Sequence, residues 1–284
     1  MKLVAIADNT FREGVRQPFY VLVGLLVAAL LVSHYFLPFF TLGEDIKMFE
    51  DITLSYILMG LLVTALLLAS KVVDEEIENK TTLTLMSKPV RRWELIVGKF
   101  VGVMYAVTLM LVVLGALLTL LTWLRAPEEL RGFGADQLDE DLVDKVGRLR
   151  QMHVLALLPA FVLVWMQIAV MAAISVAIST RLGMVLNVVI GVALFVVSHL
   201  VAFLATASGP LARTLTVLLP NLEQFNMNPL LIYRDVVFGA ASAGSQVAYA
   251  EVWKLVGLAS AYGAAWVVAA LLLGLALFRT RELG

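Results

Sequence analysis

The chain has 284 residues, of which 61% are hydrophobic and 15% charged, with a mean hydropathy of +0.92 and a net charge of −1. Soluble domains have about 45–50% apolar and about 25% charged residues, so this composition excludes a soluble domain and favours a helical membrane protein. The charge balance argues against a nucleic-acid partner, and the lack of cysteine excludes disulfides and cysteine-based metal sites.

Residues 2–17 precede the first long apolar run and show helical periodicity. Apolar side chains recur at every fourth position from Leu3 to Val15, and charged side chains fall mostly elsewhere around the helix. This pattern predicts an amphipathic helix that lies in the membrane surface, with Pro18 at its junction with the first span. Charges continue through Arg16, which is not the pattern of a cleavable signal peptide.

Six apolar runs have the length of roughly twenty residues that a helix needs to cross a bilayer. They cover about 18–40, 52–72, 99–124, 153–178, 184–207 and 252–278. Continuous runs predict helices and not barrel strands, which alternate apolar and polar residues. The sequence therefore predicts an all-α integral membrane protein, with an amphipathic N-terminal helix and six transmembrane helices in a single domain.

Lysine and arginine set the expected orientation, because short cytoplasmic loops carry an excess of both. If both termini are cytoplasmic, more than half of the 21 basic residues fall on the cytoplasmic side, and the acidic loop TLGEDIKMFEDI falls outside. Basic residues in 125–150 weaken this bias. We therefore expect a multi-pass protein of the cytoplasmic (inner) membrane with both termini cytoplasmic.

Two segments, 125–152 and 208–251, are then predicted to be extracytoplasmic loops. In the first, apolar residues recur every three or four positions from Leu138 to Leu149, which predicts an amphipathic helix. The second mixes prolines with apolar stretches too short to span a bilayer. Both loops are therefore expected to contain short helices.

The polar residues inside the predicted spans include His34, Gln167, Asn187 and His199. Intramembrane polar residues are functional candidates, but they also form hydrogen bonds between helices. The spans that contain the histidines hold no acidic residue, so we favour the hydrogen-bonding interpretation. The chain has no HExxH or GxSxG motif, which argues against an intramembrane hydrolase.

The segment 73–98, between the second and third spans, contains the densest charge cluster of the chain. The simplest interpretation is a solvated hairpin whose bases satisfy the positive-inside rule. Acidic residues do little for topology, however, and the spacing of apolar residues indicates a structured segment, so a docking site for a soluble partner is favoured. The segment contains no P-loop, since Trp93 stands where that motif requires its first glycine and Phe100 follows Gly98-Lys99.

The stretch EIENKTTLTLMSKPVRRWELIVGKFVG, which begins at Glu76, resembles the signature region of ABC-2-type permeases over about twenty-five residues. Within that family it is most similar to the stand-alone bacterial permeases of the NosY-like group. The layout is also similar, with an N-terminal elbow helix, six spans and a long outer loop before the sixth. The loop 125–150 is longer than is usual in the family.

The resemblance implies one half of the membrane part of an ABC transporter, of the type V exporter-like kind, which pairs with a second copy of itself or a homologous permease. A separate cytoplasmic ATPase subunit would bind ATP and Mg, so no catalytic, metal or cofactor site is expected here. The resemblance maps the coupling helix, and with it ATPase docking, onto Asp74, Glu75, Glu76, Glu78, Lys80 and Thr81. It maps motif and interface anchors onto Lys88, Pro89, Arg91, Arg92, Trp93, Glu94, Gly98 and Lys99, and a second cytoplasmic contact onto Arg181.

The expected function is therefore a permease subunit that couples ATP hydrolysis in its partner to export or force transmission. The alternative is a membrane scaffold or assembly factor that recruits a cytoplasmic partner through 73–98 without transport. An extracytoplasmic partner would be compatible with either function. The sequence does not indicate a substrate.

Overall fold

The computed structural model describes residues 2–37, 45–78, 91–132, 140–204, 214, 216–226 and 246–279, and these ranges contain helices and turns but no strand. The helices are α1 (Lys2–Val15), α2 (Pro18–Tyr35), α3 (Asp45–Glu78), α4 (Arg92–Gly132), α5 (Glu140–Ser179), α6 (Met184–Leu204), the 3₁₀ helix η1 (Leu222–Phe225) and α7 (Gln246–Arg279).

Within these ranges, six helices are long and apolar enough to cross a membrane. Their spanning parts are Pro18–Tyr35, Ile46–Lys71, Trp93–Arg125, His153–Ser179, Met184–Phe203 and Ala250–Phe278. The predicted fold class, an all-α integral membrane protein with six spans after an N-terminal helix, is confirmed.

Four helices, α3, α4, α5 and α7, extend beyond the apolar runs that predicted them. Helix α3 begins at Asp45, so the last residues of the acidic stretch TLGEDIKMFEDI form its first turns and not a loop. Helix α5 begins at Glu140, so the apolar repeat that ends at Leu149 extends this helix and is not a separate element. Leu138, where that repeat starts, lies outside the described residues. Hydropathy misses such extensions, because charged helical turns at a membrane surface resemble loops in composition.

The bundle is built around α3 and α5, in which 61% and 67% of the spanning window is buried. The corresponding shares for α2, α6 and α7 are only 22%, 28% and 17%. Aliphatic side chains cover the outward faces of these three helices, among them Leu22, Val185 and Leu258. A spanning helix with an apolar outer face is suited to contact with lipid or with another membrane protein.

Helix α1 lies against the first turns of α4, separated from α2 by a bend. Gln17 has an extended backbone (φ −68°, ψ 133°), the conformation that residues before a proline prefer, and Pro18 then begins α2. The side of α1 that faces the bundle is buried at Ala7 and Thr10. The predicted amphipathic helix is therefore present, and it packs against the bundle.

Candidate functional site

The end of the bundle that carries α1 is called the elbow end below, and it contains the segment with the recognisable motif. Helix α3 continues past the end of its spanning part at Lys71 to Glu78, an extension of roughly 10 Å at 1.5 Å per residue. Four of the predicted docking residues lie in this extension, for which the structure describes the backbone: Asp74, Glu75, Glu76 and Glu78. The remaining predicted residues between α3 and α4 lie outside the described residues: Lys80, Thr81, Lys88 and Pro89.

Helix α4 begins with a hydrogen-bonded cap formed by two residues of the motif. The backbone N–H of Arg91 donates to Glu94 Oε2 at 2.9 Å, and the Arg91 carbonyl accepts from the N–H of Glu94 at 2.9 Å. A glutamate that reaches back to the N-cap N–H forms one half of a capping box. Trp93 is 43% exposed at this end, and the backbone of Arg92 begins the helix. Arg91 and Glu94 therefore fix where α4 starts.

The glycines of the motif allow α1 to approach α4 closely. A Cβ atom at Gly102 would lie 2.6 Å from the carbonyl oxygen of Ala7, and one at Gly98 would lie 2.8 Å from Cγ2 of Ile6. Glycines four residues apart permit this kind of contact between helices in membranes. Lys99, between them, is only 3% exposed. Gly98 was predicted as a motif anchor, and the structure shows that it packs against α1.

Polar contacts also hold neighbouring elements together at the elbow end. Lys71 Nζ donates to Gln17 Oε1 at 2.7 Å, which connects the end of the α3 span to the bend between α1 and α2. Arg181, in the turn between α5 and α6, donates through Nε and Nη2 to the carbonyl oxygen of Leu277 at 3.1 and 2.8 Å. A cation suits the carbonyl-rich end of a helix, so Arg181 stabilises the end of α7.

A buried hydrogen-bond cluster joins α3, α5 and α6 just inside the elbow end. Asn187 Nδ2 donates to Ser70 Oγ at 2.8 Å and to the carbonyl oxygen of Ser175 at 3.1 Å, and all three side chains are fully buried. The interpretation of Asn187 as a residue that bonds neighbouring helices is confirmed. This cluster connects the helix that carries the acidic extension to two other spans.

A buried acid–histidine pair lies at the opposite end of the bundle. Glu50 Oε1 on α3 lies 2.7 Å from His153 Nδ1 on α5, and the two side chains are 1% and 0% exposed. The pair was not predicted from the sequence, because Glu50 falls in a stretch that was assigned to an outer loop. The available signal was the helical spacing of Ile46, Phe49 and Thr53, which places Glu50 on the buried face of a helix that starts earlier.

Arg125 extends this polar region toward the end of α2. Its Nη1 and Nη2 atoms donate to the carbonyl oxygens of Tyr35 and Leu37 at 3.4 and 3.2 Å, and its guanidinium lies 5.0 Å from the centroid of the Phe49 ring. The last carbonyl groups of a helix have no N–H partner within the helix, and the guanidinium supplies donors to these groups at the end of α2. His34 stacks on the same Phe49 ring, with centroids 5.9 Å apart.

The histidine in α6 forms the hydrogen bonds that were expected for it. His199 Nδ1 lies 2.9 Å from the carbonyl oxygen of Phe195, and Nε2 lies 2.9 Å from Nε2 of Gln167 on α5. The carbonyl requires Nδ1 to donate, so Nε2 accepts from the amide of Gln167. Both ring nitrogens are therefore engaged, which does not fit a histidine that activates a serine. No group of three or more metal-ligating side chains occurs in the part of the chain that the structure describes.

In a comparison with protein families, residues 4–283 match the ABC-2 family transporter proteins. The match includes α1, all six spanning helices and the segments between them. A search of curated proteins found no match to the chain.

Proposed function

The chain belongs to the ABC-2 transporter family and is a permease component of an ABC transporter, and we propose that it couples ATP hydrolysis in a separate subunit to export or force transmission across the cytoplasmic membrane. The observation that carries this proposal is the extension of α3 to Glu78, which continues one of the two most buried spans beyond the bundle. In this proposal, the ATPase subunit binds ATP and Mg, and the permease transmits movement.

The acidic extension and the capped start of α4 form the proposed coupling element. The extension contains Asp74, Glu75, Glu76 and Glu78, and α4 starts again from the cap made by Arg91 and Glu94. Charged groups on a structured surface favour recognition of a partner with complementary charge. A partner that pushes on this element would move α3, which is tied to α5 and α6 through Ser70.

The positions of α1 and of the end of α7 support the proposed orientation. Helix α1 lies against the start of α4, and Leu277 near the end of α7 bonds to Arg181 in the turn after α5. These contacts lie at the end of the bundle where α3 extends outward. If the ATPase docks there, this end is cytoplasmic, and both termini are on the same side.

We also propose that the membrane unit contains two permease chains, either two identical copies or a copy with a homologous partner. The largely exposed apolar faces of α2 and α6, with 22% and 28% of their spans buried, support this proposal. The central path in such a unit would then form between two chains. An ATPase beneath each chain would close on ATP binding and switch the spans between two arrangements.

Reversing charge in the α3 extension tests the proposed docking site. The triple substitution Glu75→Lys, Glu76→Lys and Glu78→Lys should reduce co-purification of the ATPase subunit, or uncouple its ATP hydrolysis from the permease, without loss of expression. The physical reason is that like charges would then meet across a surface that complementary charges hold together. The measurement is affinity purification followed by an ATP-hydrolysis assay of the complex.

A matched triple variant with Glu128→Lys, Glu129→Lys and Glu223→Lys changes the net charge equally at the opposite end and should leave the complex intact. Normal co-purification and normal coupling in the extension variant would contradict the docking assignment. A scaffold would instead be favoured if both variants form the complex and the ATPase subunit hydrolyses ATP at the same rate with and without the permease.

A further inference from the structure

A shallow cleft of about 480 Å³ lies on the outer side of α1, and no step of the proposed coupling uses it. Three of its lining residues are exposed and two are half-buried, whereas the buried residues of α1 face the bundle. The volume falls in the range of small-molecule sites, which is about 300–1,000 Å³. The cleft is lined by Asn9, Arg12, Glu13, Arg16 and Gln17.

The cleft lies at the level where spanning helices meet the membrane surface. Gln17 directly precedes the first span, which starts at Pro18, and it accepts a hydrogen bond at 2.7 Å from Lys71, the residue that ends the second span. Trp93, at the start of the third span, is 43% exposed at the same end of the bundle, and tryptophan is enriched at head-group depth. The cleft therefore faces the lipid head groups and not the hydrocarbon.

Arg16 and Gln17 provide hydrogen-bond donors at one end of the cleft. Within the part of the chain that the structure describes, the guanidinium of Arg16 forms no hydrogen bond or ion pair. Gln17 accepts from Lys71 through Oε1, which leaves its amide nitrogen as a donor. Guanidinium and amide N–H groups are the donors that bind phosphate oxygens.

Arg12 contributes a second guanidinium, one helical turn before Arg16. Its Nε and Nη2 atoms contact the Asp8 carboxylate at 3.2 and 3.0 Å, and the two side chains are 67% and 52% exposed. An exposed ion pair of this kind is weak, and it leaves three of the five N–H donors of Arg12 for another acceptor. Basic side chains outnumber acidic ones around the cleft, which gives it a net positive charge: Arg12, Arg16 and Lys71 against Asp8 and Glu13.

We propose that this cleft binds the phosphate of an anionic membrane phospholipid, with the phosphate between the guanidinium groups of Arg12 and Arg16. A guanidinium binds two phosphate oxygens through parallel N–H groups, and basic residues on an amphipathic helix attract anionic lipids. A head group that carries a cation would bring that cation close to the same arginines, so a glycerol head group is favoured over a choline head group. The bound lipid would hold α1 and the bend at Gln17 against the membrane surface.

Native mass spectrometry of the purified full chain in detergent tests this proposal, by titration with phosphatidylglycerol and phosphatidylcholine that carry the same acyl chains. The wild type should bind phosphatidylglycerol more tightly. Arg12→Gln with Arg16→Gln should lower the apparent affinity for phosphatidylglycerol roughly tenfold to thirtyfold, because each basic group near an anionic lipid contributes roughly fivefold. Arg12→Lys with Arg16→Lys keeps both charges and should keep most of the preference. Both positions are exposed, so these variants should fold.

A matched variant, Arg131→Gln with Lys254→Gln, removes the same charge at the opposite end of the bundle and should bind phosphatidylglycerol as the wild type does. Equal affinity of the wild type for the two lipids, or unchanged phosphatidylglycerol binding after Arg12→Gln with Arg16→Gln, would overturn the proposal. Displacement of the lipid by an equal concentration of inorganic phosphate would show a site for a free anion instead. Loss of ATPase co-purification with unchanged lipid binding would assign the cleft to the ATPase subunit and would also overturn the proposal.

Discussion

Glu50→Ala is expected to lower the free energy of unfolding by about 1–3 kcal/mol, because it removes the buried hydrogen-bond partner of His153 Nδ1. Glu50 and His153 are 1% and 0% exposed and lie 2.7 Å apart, so water cannot replace the lost carboxylate without entering the bundle. Glu50→Gln keeps an acceptor at the same place and should cost less. The measurement is thermal unfolding in detergent, followed by size-exclusion chromatography.

The exposed pair of Glu251 and Lys254 provides the control, because its side chains are 60% and 67% exposed. Glu251→Ala should change stability by about 0–1 kcal/mol, as is usual for surface pairs. The double variant Glu50→Leu with His153→Leu should recover much of the loss, since an apolar pair needs no buried hydrogen bond. If the Glu50→Ala and Glu251→Ala proteins unfold at the same temperature, the contact between Glu50 and His153 does not stabilise the bundle.

Gly102→Leu is expected to displace α1 from α4. A Cβ atom at this position would lie 2.6 Å from the carbonyl oxygen of Ala7, and a backbone atom cannot move aside as a flexible side chain can. Overpacking costs about 1–3 kcal/mol, which lowers the equilibrium constant for docking of α1 roughly fivefold to 150-fold. Because α1 packs on the first turns of α4, its displacement should also weaken ATPase coupling.

A single cysteine at position 10 reports this displacement, since the natural chain contains no cysteine. Thr10 is 4% exposed, so Thr10→Cys should react slowly with a thiol reagent, and at least about fivefold faster when combined with Gly102→Leu. Gly257→Leu is the matched control, because nothing lies within 4 Å of a Cβ atom there. Equal labelling rates in the two backgrounds would contradict the packing role assigned to Gly102.

Much of the fold could be predicted because its elements have strong local signals. Each span is a continuous apolar run, α1 has a helical repeat, and Pro18 marks the bend between them. Asn187 and His199 could be assigned to hydrogen bonds between helices, because a polar group in hydrocarbon must find a partner. The family resemblance rested on the motif between the second and third spans, which composition alone would have assigned to a solvated loop.

The buried contacts of Glu50, Arg125 and His153 could not be predicted, because their partners are distant in sequence. Glu50 and His153 are separated by 103 positions, and Arg125 bonds to carbonyls 90 and 88 positions away. From hydropathy, Glu50 and Arg125 were placed in loops next to the spans, because a charged residue ends an apolar run. Hydropathy does not show whether the side chain of such a residue points into the bundle. The coupling residues remain predictions.

Cross-linking from the α3 extension tests whether the ATP-binding subunit docks on this segment. The natural chain contains no cysteine, so a Glu76→Cys variant carries a single thiol. We expect this thiol, labelled with a photoreactive probe, to form a cross-link to the ATP-binding subunit. We also expect ATP to change the yield of the cross-link. Val217→Cys, 76% exposed and close in sequence to η1, should give no such cross-link. A Glu76→Cys protein that co-purifies with the ATPase but cross-links no more than Val217→Cys would contradict docking of the ATPase on the α3 extension.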